Sequence, residues 1–433
     1  MNILTIGNGK NHNFGKLVDG VLELAPTALI IEDKQYIGNN ATRYVNAGYL
    51  PITYTDKPED TETGHYEAVY TETDGTIVQS WEFVSNIPNG YLDTSKITNF
   101  SYWFAANARA ETIDHIDTSN GDCFQYFFYA ARKGYFPNEK IPYEKINTSK
   151  GEFFNCFMSE SDIDELPDYF IDTSNGRYMQ GFFEYCESLK KAPMLNTAKN
   201  KEFQYFCRNC SNLLEVPQLD TSSGEKFDYM FAYCDALQTV GELDTSNGTT
   251  FTYMFKACKA LKNVPQLDTS KGTDFTYMID ACYALTEIPS FDTSNGTTFT
   301  NAFSNNTGVV TIGELDLTNA TNIDNLFRNG YALETLSGLT FNSMPTSKMS
   351  TNIFYKCKKI KNINITGTIK VDSNHLTLAH CPNLTVESML SILNALEDNT
   401  GGTRYTVYFG SSNISKLTDE QQQMAEDKNI SLG

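Results

Sequence analysis

Apolar residues recur with a period of 24 positions through the middle of the chain. The segments LDTSNGTTFTYMFKACKALKNVPQ, from Leu243, and LDTSKGTDFTYMIDACYALTEIPS, from Leu267, align without a gap. Further units begin at Ile171, Leu195, Leu219, Phe291 and Leu315. A fixed period in this range predicts a solenoid, in which each unit buries its apolar side only against its neighbours.

Within each unit, one set of apolar positions predicts a short helix. Phe251, Met254, Phe255 and Cys258 stand at i, i+3, i+4 and i+7, which is the spacing of a helical apolar stripe. The first of these positions is apolar in ten units, at Phe100, Phe124, Phe154, Met179, Phe203, Phe227, Phe251, Phe275, Phe299 and Ile323. We expect these ten side chains to line the core.

The rest of the unit predicts an extended segment and a turn. Leu261 and Val264 suit a short strand on the same core, where Pro265 limits pairing because it has no N–H. In the DTSxG stretch, Asp244 is expected to bond nearby backbone N–H groups, and Gly248 to permit a positive φ. One helix and one strand-like segment per unit predict an α/β solenoid, a right-handed leucine-rich-repeat-like stack of about 11–12 rungs.

The pattern DTSNGTTFTYMFKAC…L…V resembles BspA-type leucine-rich repeats, which occur in surface proteins of bacteria and in phage tail proteins. Residues 89–384 carry this resemblance and are predicted to be the solenoid. It implies a non-enzymatic protein whose repeats present a surface for recognition.

Residues 1–88 do not repeat and are predicted to form a small β-rich domain. HYEAVYTET and TIVQSWEFV alternate apolar and polar residues around Asp74 and Gly75, which predicts a hairpin. ATRYVNAGYLPI predicts a short helix and turn before it. This segment resembles a small domain near the ends of phage tail-associated proteins, which implies an attachment module. The alternative is a plain cap, in which Trp81 and Tyr66 fill a small core.

Residues 385–433 are predicted to be an α/β capping unit. TVESMLSILNALEDN predicts an amphipathic helix, TRYTVYFGSSNISKL a strand, LTDEQQQMAEDKN a helix capped by Thr418, and ISLG a last strand. This order is similar to the ending of phage-encoded members of the same repeat family. Such a unit would cover the open apolar end of the stack.

Charge and cysteine content narrow the classes of protein. The net charge of -20 argues against a nucleic-acid-binding surface, and no apolar run reaches the length of a membrane span. The N-terminal sequence lacks the pattern of a secretion signal. Cys186, Cys210, Cys234, Cys258 and Cys282 recur every 24 residues. We interpret them as buried free thiols, which indicates folding in a reducing compartment.

Candidate catalytic, metal and cofactor residues are few. The five histidines are scattered, and GNGKN at 7–11 lacks the remaining features of a phosphate-binding loop. A column of aspartates raises two alternatives, turn capping or shared calcium ions, at Asp93, Asp117, Asp172, Asp220, Asp244, Asp268, Asp292 and Asp316. Asn147 and Asn196 replace two members of the column, which favours capping. We expect no catalytic residues, no metal and no cofactor.

One aromatic position is expected to face outward. It lies two residues after the inward phenylalanine in six units, at Tyr102, Tyr126, Tyr205, Tyr229, Tyr253 and Tyr277. On a helix this position lies about 150° from the buried stripe. We predict a tyrosine stripe that binds sugar rings or a protein, with packing between rungs as the alternative. A second candidate surface, on the strand side, holds Gln218, Asn263, Gln266 and Glu287.

These features lead to a first hypothesis and two alternatives. The first is a phage virion tail component, namely a tail fibre, tail tip or baseplate protein, folded in the host cytoplasm. It would bind other tail or baseplate proteins through residues 1–88 and a host-surface glycan or protein through the repeats, without binding nucleic acid or inserting into a membrane. A homotrimer is suggested by family analogy alone. The alternatives are a BspA-like adhesin on a bacterial cell surface, and a glycan depolymerase with carboxylates from different rungs.

Overall fold

A computed structural model describes residues 3–31, 34–37, 41–57, 64–85, 94–107, 116–135, 141, 143–349, 352–372 and 375–433. The chain divides into two units, Met1–Phe157 and Met158–Gly433. The division falls inside the repeats, so the domain boundaries after residues 88 and 384 stay predictions.

The first unit begins with a mixed six-stranded sheet. Its strands are β1 (Ile3–Val18), β2 (Val21–Ile31), β3 (Lys34–Ile37), β4 (Leu50–Thr53), β5 (Gly64–Thr73) and β6 (Thr76–Ser85), and helix α1 (Ala41–Asn46) precedes β4. The strand order is β3-β2-β1-β4-β6-β5. Strands β4 and β6 pair in parallel, and the other neighbours are antiparallel.

Two hairpins build this sheet. The predicted hairpin is confirmed, because β5 and β6 pair around Asp74 and Gly75, whose φ values are 49° and 72°. The predicted short helix is α1. A longer hairpin of β1 and β2, turning at Asp19 and Gly20, was not predicted. Its signal was present in the sequence, since Asp-Gly favours the positive φ values of a tight turn.

The core of the sheet contains Phe14 and Tyr44, whose rings stack with centroids 4.7 Å apart. Trp81 is half-buried, and its indole N–H donates to the carbonyl of Thr55 at 3.1 Å. The side chain of Tyr66 lies outside the described residues. The attachment module and the plain cap stay alternative predictions.

The repeats form coils of a solenoid, as predicted. Over the described residues the chain makes about 14 turns with a period near 24 residues, somewhat more than the expected 11–12. All ten inward positions from Phe100 to Ile323 are at most 1% exposed. In the second unit, the rings of Phe203, Phe227 and Phe251 stack from coil to coil with centroids 5.6 and 5.8 Å apart.

The predicted helix within each unit is wrong, because the described coils contain successive turns there. The Met254 N–H donates to the Phe251 carbonyl within the coil (3.3 Å), whereas the Tyr253 N–H donates to Thr276 of the next coil (2.9 Å). Tyr253 and Ala257 have φ values of 59° and 57°, which a right-handed helix cannot contain. Four-residue turns bring positions i, i+3, i+4 and i+7 inward just as a helix does, so the spacing alone did not separate the two. The fold is therefore a β-solenoid.

Gly248 also has a different role from the one expected. Its φ is not positive, and the positive φ values fall on Tyr253 and Ala257 instead. A Cβ at Gly248 would lie 2.6 Å from the ring of Phe251 and 3.0 Å from that of Phe227. Glycine is needed there because two core rings pass close to the backbone.

Short parallel strands form the other side of the coils in the second unit. Strand β7 (Glu215–Val216) pairs with β8 (Thr239–Val240), and β9 (Glu287–Ile288), β10 (Thr311–Asp316), β11 (Thr335–Pro345) and β12 (Asn362–Lys370) form a second sheet. Residues 263–264, just before Pro265, form no strand and separate the two sheets. Proline alone does not explain this gap, because strands β7 and β9 end directly before Pro217 and Pro289, and the expected limit on pairing at Pro265 stays a prediction. Single 3-10 turns lie at Ala105–Asn107, Lys133–Tyr135, Tyr143–Lys145 and Thr346–Lys348.

The C-terminal residues follow the predicted helix, strand, helix and strand, except that Ser411–Ile414, expected within the first of these strands, form a short helix. The elements are β13 (Leu376–Thr377), α2 (Val386–Ala395), β14 (Tyr405–Tyr408), α3 (Ser411–Ile414), α4 (Asp419–Asp427) and β15 (Ile430–Leu432). Strands β13, β14 and β15 form a parallel sheet. Thr418 and Gln421 form a reciprocal capping box at the start of α4, as the predicted cap at Thr418 requires.

The aspartate column caps turns. The Asp244 carboxylate accepts the N–H of Ser246 at 3.0 Å, and the Ser246 hydroxyl and then this N–H lower the pKa of Asp244. The same bond recurs at Asp117, Asp172, Asp220, Asp268, Asp292 and Asp316. Asp93 lies outside the described residues. Beside this column, the buried Thr245 hydroxyl donates to the Asp268 carbonyl of the next coil at 2.7 Å.

The cysteine column is buried and free, as predicted, and it also has a hydrogen-bonding role. The Cys258 thiol donates to the Phe231 carbonyl of the preceding coil at 3.1 Å. Equivalent bonds are made by Cys186, Cys210, Cys234, Cys282 and Cys357. Where Asn306 takes this position, its amide donates to the Ile279 carbonyl at 2.6 Å. Most units thus place a small side chain with a donor here, although Ala131 and Gly330 hold the same position without one. Burial raises the pKa of the Cys258 thiol.

We expect Cys258→Ala to lower the free energy of unfolding by about 0.5–1.5 kcal/mol, because it removes the thiol hydrogen bond and leaves the Phe231 carbonyl with one donor, the Cys234 N–H at 3.2 Å. Cys258→Ser keeps a donor and should be less destabilising. Urea unfolding followed by circular dichroism measures both variants. A serine variant as unstable as the alanine variant would show that volume matters here and the hydrogen bond does not.

Candidate recognition surface

The six predicted tyrosines all lie in turns with left-handed backbone. Their φ values run from 54° to 62°, a region that bulky residues seldom adopt. Bonds between coils hold this conformation, since the Tyr229 N–H donates to Thr252 at 2.8 Å and the Tyr253 N–H to Thr276 at 2.9 Å. The core rings of Phe227 and Phe251 are fully buried, whereas these tyrosines are half-buried.

The tyrosines stack on their counterparts in neighbouring coils. In the first unit, the rings of Tyr102 and Tyr126 lie 4.5 Å apart with planes 6° from parallel. In the second unit, the tyrosine column consists of Tyr205, Tyr229, Tyr253 and Tyr277, with centroids 5.1, 4.3 and 4.7 Å apart. The equivalent positions in the two intervening repeats hold Cys156 and Gly181.

This geometry decides what the tyrosine column can offer a partner. Ring faces 4.3–5.1 Å apart are occupied by their neighbours, so no sugar ring fits between them. The exposed parts are ring edges and hydroxyl groups. Packing between coils, which was the alternative expectation, therefore coexists with a polar outer edge. Binding of a partner by these residues stays a prediction.

Two cations lie against the column, and the sequence reading missed them. The Arg208 guanidinium lies 5.2 Å from the Tyr205 centroid and 5.5 Å from that of Tyr229, and it pairs with Glu184 at 3.2 Å. The Lys256 ammonium lies 3.7 Å from the Tyr277 centroid. Arg208 and Lys256 each follow a column tyrosine by three residues, and that spacing is the signal that could have identified them.

A further tyrosine and a buried acid complete this edge. The Tyr185 hydroxyl accepts a hydrogen bond from Arg208 at 3.0 Å. Lys256 also contacts Asp280, which is 3% exposed, at 3.4 Å. Burial raises the pKa of Glu184, which the nearby Arg208 partly offsets. The column is thus fixed on both sides by charge pairs and cation–π contacts.

The strand-side candidates lie apart from the tyrosines along each unit. Gln218, Asn263, Gln266 and Glu287 are all exposed. Glu287 lies in β9, and the Gln266 amide reaches only its neighbour, the Leu267 carbonyl, at 3.5 Å. The structure gives these four residues no shared contact within the described chain, and their role in binding stays a prediction.

Neither a metal-binding cluster nor a membrane-spanning helix is found among the described residues. Among the described residues, no three His, Cys, Asp or Glu side chains lie where they could hold one metal ion. In the described chain, no helix combines the length and apolarity that crossing a membrane requires.

Comparison with known proteins yields one family. A family model described as "Mycoplasma protein of unknown function, DUF285" matches residues 71–218, 197–287 and 260–368. Together these matches run from residue 71 to residue 368, more than half of the 433-residue chain, and include the whole tyrosine column. A comparison with curated proteins finds no match.

Alkaline pH should destabilise the protein because the tyrosine column holds Tyr253 in its protonated form. Burial and the neighbouring tyrosines raise the pKa of Tyr253 to about 12, above the ordinary value of about 10. The unfolded chain therefore loses this proton first, so stability falls as pH rises from about 10 to about 12. Urea unfolding across this range should show a shallower decline for Tyr253→Phe than for the unchanged chain. Equal slopes would contradict the assignment.

Proposed function

The chain belongs to the DUF285 family, and from this premise we propose that it is a non-enzymatic recognition protein. The tyrosine column carries the proposal. It places a line of hydroxyl groups and ring edges along a rigid β-solenoid, with Arg208 and Lys256 fixing the rings. Such an edge suits hydrogen bonding to a cell-surface glycan or protein.

The setting that we propose is a phage virion, where the chain would be a tail fibre, tail tip or baseplate component. The support is the resemblance of both ends of the sequence to phage modules, together with the β-rich sheet at residues 3–85, which suits attachment to other tail proteins. The chain would fold in the host cytoplasm before assembly, as the free buried cysteines allow. A homotrimer is the proposed assembly, on family analogy.

A bacterial cell-surface adhesin is the second candidate. One observation favours it, because the matching family model is described from Mycoplasma, a bacterium. The recognition edge would be the same in both settings, and only the carrier of the protein would differ.

The location of the protein distinguishes a phage tail component from a bacterial cell-surface adhesin. Mass spectrometry of purified phage particles should detect the chain if it is a tail component. Detection only in the surface fraction of bacterial cells would reject the virion setting and favour the adhesin.

Paired substitutions test the recognition edge. Tyr229→Phe with Tyr253→Phe keeps both rings and removes both hydroxyls, so cell binding should weaken at least about tenfold while the melting temperature is kept. Tyr229→Ala with Tyr253→Ala should weaken binding equally and also lower stability, because each stacked pair contributes about 0.5–1.5 kcal/mol.

Tyr283→Ala is the matched control, since Tyr283 is 47% exposed and lies outside the column. It should bind cells like the unchanged protein. Undiminished binding by both double variants would mean that the tyrosines only pack between coils.

A further inference from the structure

At least eight of the 21 lysine and arginine side chains in residues 158–433 pair with described carboxylates, mostly those of a neighbouring coil. Lys201 pairs with Glu225 at 2.8 Å, and further pairs are Lys191–Glu215, Lys226–Glu202, Lys259–Asp235 and Lys361–Glu334. This pairing is what an acidic chain with 53 carboxylates and 33 basic side chains would provide. Cations outside these pairs matter for binding where several of them lie together.

A group of such cations spans two adjacent coils that precede α2. We define the basic patch as Arg328, Lys356, Lys358 and Lys359, none of which forms an ion pair with any described residue. The coils carrying them are adjacent, because the Asn329 N–H donates to the Tyr355 carbonyl at 2.8 Å. Lys358 and Lys359 are exposed, whereas Arg328 and Lys356 are half-buried.

Two cations of the basic patch, Arg328 and Lys356, lie against the ring of Tyr355. Arg328 lies 5.5 Å from the Tyr355 centroid and Lys356 lies 5.2 Å from it, and the ring of exposed His380 meets Tyr355 edge-on at 4.7 Å. The Nε atom of Arg328 is buried and has no hydrogen-bond acceptor among the described residues. The ring of Tyr355 thus holds Arg328 and Lys356 in place without neutralising them. Glu334, whose pKa is lowered by Lys361 and then by Lys359, partly balances Lys359.

We propose that the basic patch binds an anionic cell-surface glycan, a polysaccharide with phosphate, sulfate or carboxylate groups spaced along its chain. Unpaired cations across adjacent coils suit several separated negative groups better than one small anion. Tyr331, 42% exposed and 6.0 Å from the Lys356 ammonium, adds an aromatic surface for the uncharged sugars between those groups.

Charge decides between a glycan and a nucleic acid. Duplex DNA carries one negative charge per about 1.7 Å, and would bring this density against a chain whose net charge is -20. A sparsely charged glycan can place its anions on the patch and its neutral sugars beside the acidic coils. The partner class rests on the proposed function, but the site does not use the tyrosine column.

The test measures binding of the full chain to sparsely sulfated dextran by isothermal titration calorimetry. Lys356→Gln, Lys358→Gln and Lys359→Gln together should weaken binding at least about tenfold, and added salt should weaken binding by the unchanged chain. The matched control is Lys199→Gln, Lys262→Gln and Lys271→Gln, which changes net charge equally. Those three lysines donate to neutral amide oxygens at 2.7–2.9 Å, and the control should bind within about twofold of the unchanged chain.

Four outcomes would overturn the proposal. They are no binding by the unchanged chain, equal loss in the patch and control variants, equal binding of unsulfated dextran, and tighter patch-dependent binding of duplex DNA or phosphatidylserine vesicles. Tyr229→Phe with Tyr253→Phe should leave dextran binding intact. Failure of the patch is thereby distinguished from failure of the tyrosine column, which the cell-binding assay reports.

Discussion

Each coil leaves backbone and side-chain groups that only the next coil can satisfy, and the rest of the structure depends on this constraint. Alternate N–H groups, such as those of Phe227, Tyr229 and Phe231, donate along the stack to the following coil. The cysteine thiols and threonine hydroxyls take up carbonyls of neighbouring coils in the same way. The stack therefore gains stability from interfaces between neighbours, and a single coil has no closed hydrogen-bond network of its own.

This constraint explains which parts of the fold the sequence predicted. The inward phenylalanines were predicted correctly, because burial requires apolar residues whatever the backbone does. The helix was wrong, since consecutive turns place Phe251, Met254 and Phe255 inward with helical spacing. The spacing of apolar residues does not indicate where the backbone adopts a positive φ. Many residues with positive φ in the coils are tyrosines rather than glycines. The residue type at position 253 therefore did not indicate a positive φ.

The candidate site was predicted only in part for a related reason. Repetition identified the six tyrosines, but their stacking depends on a coil spacing that the wrong secondary structure had obscured. Arg208 and Lys256 were missed because they occur once each at a position that is otherwise variable. A residue type that recurs at one position of every repeat is easily recognised in the sequence. A residue that occurs at that position in one repeat only is easily overlooked. The residues that differ between coils are, however, the ones that give each stretch of the surface its own chemistry.

Stacking in register restricts what those variable positions can hold. Equivalent residues of successive coils lie about 5 Å apart, so a side chain always meets the one at the same position of the next coil. Aromatic rings gain from this, as the tyrosine column shows, whereas charges must alternate in sign, as in Lys226 against Glu202.

The aspartate column holds like charges at equivalent positions of successive coils. Its carboxylates repeat without alternating, and they are tolerated because each accepts bonds from its own turn, which lowers the pKa of Asp244 and Asp268. Like charges in register therefore need compensation, either from local donors or from a bound partner. The cations of the basic patch are not in register, because Arg328 faces Tyr355 of the next coil. The described chain offsets their repulsion only in part, through the ring of Tyr355 and through Glu334 near Lys359, and a bound anion would supply the rest.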